Sequence, residues 1–148
     1  MSEWYDRRCT AAEAVSGLRP GDHVFVGSAC ATPRSLVAAL ERLRPPIPGL
    51  VLLHFLTDGL DEAGGETTAY RHRALYVGSD ARTLLPSGLI DYLPVSLPEV
   101  PRLLRTGRMR LDAALIQVAP PDPDGTCSLG ISVDVTKAAA LAARSVVA

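Results

Sequence analysis

Leu50–Leu56 is a near-continuous run of apolar side chains, and Asp112–Val118 is a second mostly apolar stretch that reads as a buried strand. Neither shows the every-other-residue alternation of a strand with one wet face. A run of this length bounded by turn residues suits a strand whose sheet is covered by helices on both sides. Strands of that kind, separated by helical patterns, argue for an α/β fold: a mostly parallel sheet flanked by helices.

The segments between them fit. Thr10 followed by Glu13 is a capping box, so a short helix starts there. Leu18–Asp22 reads as a turn, and His23–Val26 as a strand ending at Gly27. Thr32 is the expected cap of a helix over 33–44, with Pro33 at its first position and Leu36, Val37, Leu40 and Leu43 on one face. Residues 57–70 read as a loop, 73–77 as a strand, and Ser79 or Asp80 as the cap of a short helix. Asp91–Val95 is extended. Ser96 and Glu99 set the start of a helix running to Thr106-Gly107. Pro120–Gly125 is a turn, 126–133 a strand, and 136–144 an Ala-rich helix. Ser145–Ala148 opens one more strand. A chain ending inside an apolar strand is expected to continue in the natural protein.

Composition narrows the function. The chain has 148 residues and is 47% apolar, enough for one domain with a real core. Only 5% is aromatic, so Val, Leu, Ile and Ala must build that core. A net charge of −1, without a basic block, speaks against a nucleic-acid partner or an anionic membrane. No run approaches the ~20 apolar residues of a spanning helix. Three scattered cysteines, Cys9, Cys30 and Cys127, fit neither a disulfide framework nor a zinc site and point to a reducing, cytoplasmic compartment.

On physics alone the best candidate site is the loop from Gly27 to Pro33, at the end of a strand and the start of a helix. Open α/β sheets bind ligands at such places. The loop is neither a Walker A sequence nor a GxGxxG fingerprint, and a tight, closely packed turn would explain its small residues equally well. Ser28 is not in a nucleophile elbow. An isolated Cys30 beside alanines reads first as a small buried hydrophobe. His54 reads as a core histidine, and His23 and His72 as edge or surface residues. Glu62 and Glu66 read as a solvated acidic loop. Asp122 and Asp124 read as turn chemistry and Asp134 as a residue preceding the last helix. No metal site is expected from any of them.

Several segments, taken in order, resemble the N-terminal domain of the acetyl-CoA hydrolase/transferase family. They are Cys9–Val15, Gly21–Val24, Pro33 with its helix, Gly88–Val95, Glu99–Leu104 and, most specifically, Gln117–Gly125 continuing through Ser128–Asp134. The resemblance implies one CoA-transferase-type α/β domain over 1–148, paired with a C-terminal catalytic domain on the same chain or another. It implies acyl-CoA and a small carboxylate as substrates, no tightly bound cofactor, and a homo-oligomer. In the family a glutamate of the C-terminal domain attacks the thioester. No Glu of this chain fits that motif, so no catalytic residue carries over. By position, Gly27, Ser28, Cys30 and Pro33 would form one wall of the CoA cleft. Thr57, Pro120, Pro121 and Asp122 would approach its rim. A hydrolase and a non-catalytic acyl-CoA-binding module are the alternatives.

Overall fold

The computed structural model describes residues 5–57, 70–78, 82 and 85–148. The Glu62–Glu66 loop and the cap expected at Ser79 or Asp80 lie outside the described residues.

Six parallel strands form one sheet: β1 (His23–Val26), β2 (Val51–His54), β3 (Arg71–Ala74), β4 (Ile90–Tyr92), β5 (Ala113–Leu115) and β6 (Ser145–Val147). Their spatial order is β4-β3-β2-β1-β5-β6. The chain therefore moves outward from β1 through β2 and β3 to β4. It then returns to the other side of β1 for β5 and β6. The described residues include four α-helices: α1 (Ala11–Ser16), α2 (Arg34–Arg42), α3 (Val100–Arg105) and α4 (Thr136–Ala142).

Both faces of the central strands β1, β2 and β5 are buried, which is why those strands are largely apolar, whereas β3, β4 and β6 toward the edges carry exposed residues. Val24, Val26, Leu52 and Leu115 pack with Val15 of α1 and with Leu36, Val37 and Leu40 of α2. Phe25, Leu53 and Ala114 point to the opposite face, against Val100 and Leu104 of α3 and Ala139 of α4. Alternate residues of β1, β2 and β5 thus feed two separate cores. The α1 capping box forms as the sequence requires. Thr10 accepts from the Glu13 N–H at 3.2 Å, and Glu13 accepts from the Thr10 N–H at 2.7 Å.

Several boundaries differ from expectation. Pro33, not Thr32, occupies the cap position of α2, because Ala29–Ala31 first make a 3-10 turn that Thr32 ends. β3 begins two residues before Arg73, in register with β2 from Arg71↔Val51. Ser96 makes no side-chain cap; Leu97–Glu99 form a 3-10 turn, and α3 starts after it. Pro98 and Pro101, which lack N–H groups, split what the sequence pattern read as one helix. Residues 126–133 form no strand: Ala119 N–H meets the Ser128 carbonyl at 2.8 Å and Asp122 N–H the Thr126 carbonyl at 3.0 Å without a continuing ladder, and Ile131 stands 83% exposed.

The N-terminal rim of the sheet is tied by charge. Buried Asp22 accepts from Arg144 at 3.4 Å and from the Arg19 N–H at 2.9 Å. Asp112 accepts from the His23 N–H at 2.9 Å and pairs with Arg110 at 3.0 Å. Burial pushes the Asp112 carboxyl up, but the His23 N–H, Arg110 and Arg144 outweigh it and hold it below the usual carboxylate range. These contacts fix the entrances of β1, β5 and β6 and leave the opposite rim for other work. Among the described residues no helix is long and apolar enough to cross a membrane.

Candidate functional site

β1 and β5 are neighbours, with Phe25↔Ala114 and Val26↔Leu115 in register. From β1 the chain turns to the α2 face; α4, which follows β5, packs on the other face. Loops that part in this way leave a crevice at the carboxyl ends of the strands, where strand order reverses. The Gly27–Pro33 loop and the segment from Ile116 to Asp134 are its two banks.

Gly27 extends the pairing by one rung, its N–H donating to the Leu115 carbonyl at 2.9 Å. A side chain could not replace its hydrogen: a Cβ would lie 2.8 Å from the Ala31 carbonyl oxygen and 3.4 Å from Pro33 Cδ. Glycine is needed here for close approach of backbone to backbone. Thr57 lies buried beyond the end of β2, with its hydroxyl 3.4 Å from the Gly27 carbonyl that accepts from it. The Ala29 N–H donates to the Leu56 carbonyl, and Ala29 adopts φ 48°.

Gly27, Ser28, Pro33 and Thr57 are thus brought together, all buried. Cys30 is exposed at the tip of the 3-10 turn, contrary to the buried hydrophobe its neighbours suggested. The turn throws Cys30 outward while Ala31 and Thr32 turn inward. Pro120 and Asp122 are exposed and Pro121 half-buried on the other bank. Asp122 organises its own turn, its carboxylate accepting from Asp124 N–H at 3.1 Å and Thr126 N–H at 2.8 Å. Gly125, at φ 78°, completes that turn as the sequence anticipated.

The residue that sequence reasoning missed is Asp134. Its carboxylate accepts from the Ser28 hydroxyl, from the Val135 N–H and, at 3.3 Å, from the Thr136 hydroxyl. Ser28 and Asp134 are 106 positions apart, and no local pattern could have paired them. The one available signal was an aspartate just before a helix whose own cap position, Val135, has no capping side chain.

The histidines are also redistributed. His54 is a core residue, as read, but so is His72, which was expected at an edge or surface. Parallel pairing of β2 with β3 sets them on one face, with His72 Nδ1 3.3 Å from His54 Nε2 and the rings edge-on at 77°. Burial, then the charge of His72, pushes the His54 pKa down to about 3, so its ring is neutral at physiological pH.

An open parallel sheet with its strand-end crevice at the point of reversal places the protein among doubly covered α/β domains, a class whose ligands bind at that rim. The chain belongs to the acetyl-CoA hydrolase/transferase family: the profile of that family's N-terminal domain matches residues 1–148. It is 39% identical over 145 residues to a 4-hydroxybutyrate coenzyme A transferase of Clostridium kluyveri, covering 97% of this chain and 34% of that protein. A solved 4-hydroxybutyrate CoA-transferase from Porphyromonas gingivalis superposes with TM-score 0.70 at 34% identity, over 97% of this chain and 33% of that one. RipA from Yersinia pestis superposes with TM-score 0.81 at 28% identity, over 95% of this chain and 36% of that one. The chain thus spans about a third of the length of these relatives.

Proposed function

We propose that this chain is the N-terminal domain of an acyl-CoA:carboxylate CoA-transferase and supplies one wall of its active-site cleft. Its likeness to a CoA-transferase along 97% of its length is the observation that carries this reading. The reversal of strand order between β1 and β5 supports the location. Cys30 on one bank and Pro120, Pro121 and Asp122 on the rim face the acyl-CoA, while the buried Gly27, Ser28, Pro33 and Thr57 form the wall behind them.

The attacking carboxylate is a glutamate of a C-terminal domain, present on the same chain or a partner. It adds to the thioester carbonyl and expels CoA thiolate, leaving an acyl-glutamyl anhydride. The thiolate then attacks the glutamyl carbonyl of the anhydride and releases the acyl carboxylate. CoA now sits on the glutamate as a thioester, and an acceptor carboxylate takes it by the reverse sequence. This domain's part is to bind and orient the substrate, a contribution made through geometry rather than bond-making.

The test is to assay CoA transfer from butyryl-CoA or succinyl-CoA to acetate. The chain is measured alone and joined to the C-terminal region that its relatives possess. Transfer that requires both parts is the expected result. Turnover by the 148-residue chain alone would overturn the division of labour. Release of free CoA without an acceptor acid would identify a hydrolase instead.

A further inference from the structure

Among the described residues, no ladder bond beyond the Gly27–Leu115 rung joins the two banks of the crevice; the loops have parted toward opposite faces of the sheet. Their spacing there falls to whatever side chains cross between them. Among the described residues, a side-chain hydrogen bond does: the Ser28 hydroxyl donates to Asp134. Ser28 is wholly buried, so its hydroxyl requires a partner at that spot. Asp134 is divided in its work. One oxygen serves the start of α4 through the Val135 N–H and Thr136 hydroxyl, and the other reaches across to Ser28.

Backbone conformation marks the same place. Ala29 at φ 48° and Asp134 at φ 28° are the non-glycine residues with positive φ among those described. One lies on each bank, and each is at or beside the crossing contact. Such conformations cost on the order of 1–3 kcal/mol each and persist where surrounding contacts over-determine them, most often at functional sites.

We propose that Asp134 is a positioning residue: through Ser28 it fixes the gap between the β1 loop and the 116–134 segment, and so sets the fit of the acyl-CoA at the crevice. The inference rests on the proposed CoA-transferase function. It adds a residue that touches no substrate and acts through the loop it holds.

Steady-state kinetics of the complete protein, with butyryl-CoA as donor and acetate as acceptor, test it. Asp134→Ala and Ser28→Ala should each raise the KM for butyryl-CoA about tenfold, leaving the KM for acetate within about twofold, because a misplaced wall weakens only the ligand it contacts. The double variant should be no worse than the more severe single one, since both remove the same contact. Asp134→Asn, whose amide can still meet the Ser28 hydroxyl, should restore the KM to within about threefold of the parent. Partial misfolding would instead lower kcat with both KM values unchanged, and that result overturns the proposal, as does a wild-type KM for butyryl-CoA in Ser28→Ala. Failure of the parent protein to transfer CoA at all would overturn the functional reading and this proposal with it.

Discussion

Acidification should weaken this fold through His54. His54 is 1% exposed, and its pKa falls from 6.5 to about 3 on folding. The unfolded chain therefore binds a proton between those values that the folded chain refuses. Stability from this group is complete above pH 6.5 and is lost progressively as pH falls toward 3. At one and a half units below the unfolded pKa the loss is about 2 kcal/mol, because each unit is worth about 1.36 kcal/mol. Urea unfolding followed by far-ultraviolet circular dichroism near neutrality and near pH 5 measures it. His54→Gln, which removes the titrating ring and keeps a polar side chain beside His72, should flatten that pH dependence by most of the 2 kcal/mol or so. An equal loss in parent and variant would refute the reasoning, since the proton would then be taken up elsewhere.

Other perturbations have equally direct readings. Gly27→Ala places a Cβ 2.8 Å from the Ala31 carbonyl oxygen, so the loop must shift; overpacking of about 1–3 kcal/mol should lower the melting temperature by several degrees, read by calorimetry. Leu40→Ala, at a site 2% exposed between α2 and the sheet, should cost about 2–5 kcal/mol in urea unfolding with an unchanged denaturant slope. Thr10→Ala removes the side-chain half of the α1 capping box and should cost about 1 kcal/mol in the same assay.

Much of the architecture was legible in one dimension. The mostly apolar runs at Leu50–Leu56 and Asp112–Val118 specify strands buried on two faces, and two-sided burial requires helices on both. Their cores are the observed β2 (Val51–His54) and β5 (Ala113–Leu115). The capping box at Thr10 and the turn at Asp122 were equally visible, being hydrogen bonds made within a few residues. The boundaries of α3 were not: a helical pattern gives no warning that Pro98 and Pro101 will hand the first turn to a 3-10 geometry.

What the amino-acid order settled by itself is the class of fold and the small-residue loop at Gly27, since periodicity and turn chemistry are local properties. Only tertiary structure decided which loops face each other. Strand order put β5 beside β1, brought Asp134 to Ser28, and drew His72 into the core against His54. Pairings across 106 and 18 residues depend on sheet topology, which collects neighbours from distant parts of the chain and leaves no trace in the local pattern of either partner.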